Sequence, residues 1–180
     1  MSDKQAYIGD TLTAFKDKSG QYTIQERKGF IAFVDALGTK GIWTRKDPKT
    51  VIQDWVDLVT HFEEEARGSH VQAWAFSDTI IATLESDDLD SSKAPIPVIV
   101  ELLAKLFTDA LESGFLLRGA ISRGLFYRER PMIIGPAVDD AAEWYEAAEW
   151  MGIMLTPQTS FFVDKLLLTN QVSEIRKLVR

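Results

Sequence analysis

Gly29-Phe30-Ile31-Ala32-Phe33-Val34-Asp35 is an apolar run that ends on an acid. It is short, carries no internal polar side chain and is rich in aromatic and β-branched residues, which suits a strand buried on both faces. Downstream, residues 36–46 read as a loop, and Asp47-Pro48 opens a helix with Asp as N-cap and Pro in the first turn. Val51, Trp55, Leu58, Val59 and Phe62 then recur at helical spacing until about Gly68. Residues 70–85 (HVQAWAFSDTIIATLE) are two β-type runs split by Ser77-Asp78, so a second acid sits at a turn.

Residues 86–94 are a polar loop. A second helix spans about 97–113, with Val98, Leu102, Leu106 and Ala110 on one face and Gly114 as its stop. Strands at 116–127 and 132–134 follow, joined by a charged tip of Arg128, Glu129 and Arg130. Gly135-Pro136 opens a third helix to about Trp150, 152–155 is a short strand, and Thr156-Pro157 begins the one or two helices that finish the chain. This order, β α β β α β β α β α, predicts a ferredoxin-like, palm-type α+β sandwich. Its sheet is mixed and mostly antiparallel, with helices packed on one face. Residues 1–28 read as an N-terminal arm or helix, and 29–180 as one domain.

With 180 residues, 46% of them hydrophobic, the chain holds enough apolar material for one substantial core. No stretch approaches the roughly 18 apolar residues of a membrane span, and Met1-Ser2-Asp3-Lys4 does not open a secretory leader, so the expectation is a cytoplasmic protein without membrane contact. A net charge of -7 with no basic run argues against a surface that coats nucleic acid. The absence of cysteine leaves His61, His70 and oxygen donors for any metal, and carboxylate oxygen suits magnesium, manganese or calcium.

Asp35 and Asp78 are the residues with chemistry to offer. Their strand ends are neighbours in a palm-type sheet, and two carboxylates brought together repel unless a cation sits between them. A pair of hard divalent ions is what phosphoryl chemistry uses to activate an attacking oxygen and steady a leaving one. Taken singly, each Asp reads first as an ordinary turn residue.

FIAFVDALGTKG resembles the opening motif of class III nucleotide cyclases, and AFSDTIIATL their second metal-binding hairpin. LLRGAISRG resembles the strand ahead of their dimerisation arm and GPAVDDAAEW the helix after it, so four motifs run in the family's order over residues 29–156. RGAIS, a Tyr-bearing hairpin and IGPAV look most like the pyrimidine cyclases of the Pycsar antiphage system. The resemblance implies that 29–180 is a cyclase catalytic domain converting UTP or CTP to its cyclic mononucleotide for a separate cyclic-nucleotide-sensing effector. It implies two magnesium or manganese ions on Asp35, Asp78 and the Ala36 carbonyl, and triphosphate contact at the amides of Leu37, Gly38 and Thr39. Lys40 is either a phosphate partner or a solvated loop lysine.

Purine cyclases read their base from positions that here hold Trp74 and Met132, neither able to repeat that hydrogen-bonding pattern. Trp74 either narrows the pocket toward a one-ring base or packs in the hairpin core. Where purine cyclases carry an Asn and an Arg on the helix after the arm, this chain has Asp139 and Glu143. The transition-state cation then falls to Arg118, Arg123, Arg128 or Arg130, with Arg130 read first as a surface ion pair. Trp144, Tyr145 and Trp150 serve core packing or a subunit interface. The family resemblance implies a head-to-tail homodimer with active sites between subunits and the hairpin 125–134 reaching across. Competing readings are another palm-type nucleotidyltransferase that joins two nucleotides, and a silent palm domain that binds a nucleotide or a protein.

Overall fold

The computed structural model describes residues 26–39, 41, 47–87, 89, 95–129 and 132–168. Strand β1 (Glu26–Leu37) is the central element, with Phe30, Ala32, Val34 and Ala36 buried toward one face and Ile31 toward the other. Helix α1 (Pro48–Gly68) is capped by Asp47, whose carboxylate accepts from the Thr50 backbone N–H at 3.1 Å, and it buries Val51, Leu58, Phe62 and Ala66. Strands β2 (Gln72–Phe76) and β3 (Thr79–Glu85) form a hairpin with a two-residue turn. Helix α2 (Ile96–Glu112) buries Ile99, Leu102, Leu103 and Leu106, and Gly114 follows it at φ 79°. Then come β4 (Leu116–Glu129), β5 (Met132–Ile134), α3 (Pro136–Ala147), β6 (Gly152–Leu155) and α4 (Pro157–Leu168).

The sheet runs β2-β3-β1-β4-β5, with β6 also beside β4. β6 on β4 is parallel and the other pairings are antiparallel. The first four strands with α1 and α2 make the split βαβ arrangement of the palm sandwich, as the element order predicts. None of the described helices is long and apolar enough to cross a membrane.

Helices cover both faces, which corrects the expectation of one. α1, α2 and α4 pack on the face of Phe30, Ala32 and Val34, whereas α3 lays Ala137, Val138 and Ala141 against Ile31 and Phe126 on the other. A strand apolar on both sides needs cover on both sides, and the pattern of Gly29 to Asp35 already carried that requirement.

Other differences concern element ends. β1 begins at Glu26, inside the stretch assigned to the arm, because residues 26–28 pair with 125–127 of β4 and Arg27 bonds Glu85 across the sheet at 2.6 Å. Ala36 and Leu37 extend the strand instead of opening the loop. Arg128 belongs to β4 and not to a charged tip: its guanidinium donates to the Thr83 hydroxyl at 2.7 Å and to Glu85, and only 8% of the residue is exposed. α3 stops at Ala147, where Ala148 turns extended, so Trp150 lies beyond the helix and is 54% exposed. Residues 1–25, Lys40, Arg130 and the chain after 168 lie outside the described residues.

Candidate active site

Asp35 stands opposite Thr79 on β3 and Arg118 on β4, so all three side chains share the face on which α3 packs. The contacts follow from that register. The Thr79 hydroxyl donates to Asp35 Oδ1 at 3.2 Å, and Arg118 Nε and Nη2 approach Oδ2 at 3.4 Å. Asp78 occupies the second position of the β2–β3 turn, and its carbonyl accepts from the Ala36 N–H at 3.0 Å, which pins the turn to the end of β1. A strand residue directs N–H and C=O to the same side, so the Ala36 carbonyl is turned toward that hairpin. Ser77, the first turn residue, has φ 59° and Asp78 is not in that region, the φ pattern of a II′ hairpin.

Thr39 gives its hydroxyl to Asp78 Oδ2 at 2.6 Å. The two acids are thus cross-latched: a threonine of the β1 loop holds the hairpin acid, and a threonine of the hairpin holds the β1 acid. Their electrostatics differ. Burial raises the Asp35 carboxyl above its ordinary 3.8, the charge of Asp78 pushes the same way, and Thr79 and Arg118 only partly offset them. Asp78 is lowered, chiefly by the Thr39 hydrogen bond, which outweighs burial, with lesser help from its own backbone N–H and the Ser77 side chain. Besides its burial, Asp35 therefore feels a neighbouring charge that Thr79 and Arg118 only partly offset, which a cation shared with Asp78 would relieve. Two carboxylates and a nearby backbone carbonyl are an oxygen donor set that fits magnesium or manganese.

Arg118 is held from several directions. Its Nη1 donates to the carbonyls of Glu146 at 3.4 Å and Ala148 at 3.3 Å, and its guanidinium lies 5.6 Å from the Tyr145 ring centre. Tyr145 in turn stacks on Phe33, with centroids 6.0 Å apart. Burial, followed by the charge of Asp35, pushes the Tyr145 phenol up, so it stays protonated at neutral pH.

The remaining expected residues divide clearly. Leu37 closes β1, and Gly38 follows at φ 74°, with nothing among the described residues within 4 Å of where a Cβ would stand. Trp74 pairs with Ile81, whose β1 neighbour is Phe33, and so lies half-buried on the Asp35 face. Arg123 is not brought to the site: it projects from the opposite face and lies over the Phe162 ring at 4.4 Å, as strand alternation from Arg118 dictates. Met132, 46% exposed, pairs with Glu129 at the far end of β4, roughly 35 Å of extended chain from Arg118. Asp139 and Glu143 are exposed on α3.

Sequence reasoning missed the contacts that Thr79 and Tyr145 make to the site. Thr79 had a usable signal, since it is the first residue after the hairpin acid. A separate group, His61, Glu65 and Asp109, has ligand atoms within 4.8 Å of one another but lies between α1 and α2, across the sheet from Asp35, with Lys105 already paired to Glu65.

No protein-family profile matches the sequence, and no curated protein sequence is similar to it. Solved structures are similar in fold. The adenylyl cyclase CyaB from P. aeruginosa superposes with a TM-score of 0.67 at 14% identity, over 80% of this chain and 84% of that one. The monomeric guanylyl cyclase domain of the RhoGC fusion protein from the aquatic fungus Blastocladiella emersonii gives 0.64 at 14%, over 79% and 88%. The guanylate cyclase domain of RhGC from Catenaria anguillulae, solved in complex with GTP, gives 0.62 at 12%, over 77% and 84%. The chain has the α+β fold of adenylyl and guanylyl cyclase catalytic domains.

Proposed function

We infer that this chain is a metal-dependent pyrimidine nucleotide cyclase, making the 3′,5′-cyclic mononucleotide and pyrophosphate from UTP or CTP. The observation that carries the reading is the meeting of Asp35 and Asp78 at one end of the α3 face of the sheet, in a chain with the cyclase fold. Asp35, Asp78 and the Ala36 carbonyl would hold two magnesium or manganese ions. When bound, such ions activate the ribose 3′-hydroxyl and neutralise the triphosphate.

In the reaction the 3′-oxygen bonds to the α-phosphorus, the bond from that phosphorus to the β-bridging oxygen breaks, and pyrophosphate departs. The hydroxyl proton passes to solvent, and no side-chain nucleophile takes part. The amides around Gly38 face the triphosphate, the polyphosphate being an anion suited to an αL turn. Lys40 is a further phosphate partner. Arg118 supplies the cation that Asp139 and Glu143 cannot, because it already stands beside the metal acids. Trp74 replaces a hydrogen-bonding base reader with an indole, which favours the smaller ring.

Met132 stands too far along β4 to share a nucleotide with Asp35 of its own chain. A head-to-tail homodimer resolves this, one chain offering the metals and the other the base contact. The product acts in the cytoplasm on a separate cyclic-nucleotide-sensing effector, in antiphage defence. A silent nucleotide- or protein-binding palm domain is the second reading, favoured by the exposed acids Asp139 and Glu143 on α3.

Incubation with each of the four ribonucleoside triphosphates and manganese, with products identified by mass spectrometry, tests the proposal. Cyclic UMP or cyclic CMP is expected. A purine product would refute the base assignment, a dinucleotide would indicate a different palm-type transferase, and nucleotide binding without turnover would favour the silent domain.

A further inference from the structure

The acid of the β2–β3 turn rests on a backbone that has to be held. Ser77, immediately before Asp78, is a non-glycine residue in the left-handed region, a conformation that persists only where the surroundings over-determine it. β2 is also the edge of the sheet, so no further described strand supports its outer side.

The backbone of this turn is also held from a helix. The Trp55 indole N–H, on α1, donates to the Ser77 carbonyl at 3.2 Å. That ring meets Phe115 edge-on, with centroids 5.3 Å apart at 68°. Phe115 is 7% exposed and its N–H bonds the Ala110 carbonyl at 2.8 Å, so the indole is braced against the junction of α2 and β4. A helix and a strand start, both part of the main core, are thereby tied to the peptide unit that joins Ser77 to Asp78.

We propose that Trp55 is a positioning residue for Asp78: its indole N–H holds the Ser77 carbonyl, fixes the turn in its left-handed form and so sets how tightly the paired acids hold a divalent cation. Trp55 touches neither acid. Loss of the bond frees the turn to relax toward a right-handed Ser77, which re-aims the carboxylate that follows. The claim rests on the reading of Asp78 as a metal ligand, but the tether itself does not.

Two variants of the full chain separate positioning from packing. Trp55→Phe keeps an aromatic ring against Phe115 and removes the donor, whereas Phe115→Leu removes the edge contact and leaves the donor in place. Amide hydrogen exchange at residues 77–80 and manganese binding, followed by the electron paramagnetic resonance of the free ion, are measured for both. For Trp55→Phe, exchange in the turn accelerates roughly three- to tenfold and manganese affinity falls by a similar factor, the range expected for one hydrogen bond. Phe115→Leu lowers the melting temperature while its manganese affinity stays within about twofold of wild type.

Unchanged turn exchange in Trp55→Phe overturns the tether. Equal loss of manganese affinity in both variants, or loss in neither, overturns the positioning role. A wild-type chain that binds no manganese at all refutes the proposed function and the positioning role together, and the exchange data then still decide the tether.

Discussion

Asp35 and Asp78 sit at the ends of neighbouring strands, yet the fold treats them oppositely. Asp35 is raised by burial and by its neighbour's charge, so its ionised form is disfavoured in the folded protein. Without metal, the stability it contributes is therefore present below the ordinary value of 3.8 and is lost as pH rises through the raised one. Asp78 is lowered, and its contribution is lost as pH falls through that lowered value. Melting curves between about pH 4 and pH 7 test the Asp35 half of this, and the Asp78 half lies at more acid pH. Asp35→Asn should raise the melting temperature of the metal-free protein across that range and abolish the further rise that manganese produces in wild type. If Asn lowers it instead, the charge strain assigned to Asp35 is absent. Thr39→Val removes the donor that holds Asp78, and about 1 kcal/mol of stability should go with it, the site being partly open to solvent. That loss is readable in urea unfolding and should shrink in acid, where Asp78 is protonated.

At the scale of elements, the long strand β4 links the site to the far hairpin. Its outer end is fastened by Arg128, which bridges Thr83 and Glu85 on β3 over the intervening β1. Arg128→Met leaves the fully buried Thr83 hydroxyl without that donor, so the unfolding midpoint in urea should fall by the equivalent of about 2 kcal/mol at an unchanged slope. A variant as stable as wild type would mean that the bridge contributes nothing net.

The strand and helix starts were legible in the sequence because their signals are local: Asp47-Pro48, Ser77-Asp78, Gly114 and Thr156-Pro157 each mark an end through cap or turn chemistry that needs no tertiary partner. Arg128 was misread because charge beside a turn resembles a tip, and burial by a cross-sheet partner leaves no local trace. α3 was misplaced because amphipathicity shows that a helix has an apolar side but not which face of a sheet receives it. Asp35 and Asp78 could be found from strand ends. Thr79 stood beside the hairpin acid and Thr39 was read through its amide, but the hydroxyl contacts by which they hold the acids showed only in the fold, and Arg123 was separated from Arg118 by alternation along a strand known to be continuous.

For the whole molecule, the distance between Asp35 and Met132 is the decisive quantity, since no bend of a single sheet brings its two ends to one nucleotide. The proposed head-to-tail dimer predicts subunit complementation. Asp35→Ala and Met132→Arg chains should each be inactive alone. An equimolar mixture should recover about a quarter of wild-type activity, because half the dimers are mixed and each of those has one intact site. No recovery after subunit exchange, with dimers present, would place both residues in one chain's site or leave Met132 outside it.

The central claim is that the two strand-end acids share divalent ions, and its most direct test is anomalous diffraction at the manganese edge from crystals grown with manganese and a non-cyclisable pyrimidine triphosphate. The account predicts anomalous peaks within about 2.3 Å of carboxylate oxygens of both Asp35 and Asp78. Manganese only between His61, Glu65 and Asp109, or on one acid with the other still held by its threonine, would contradict it.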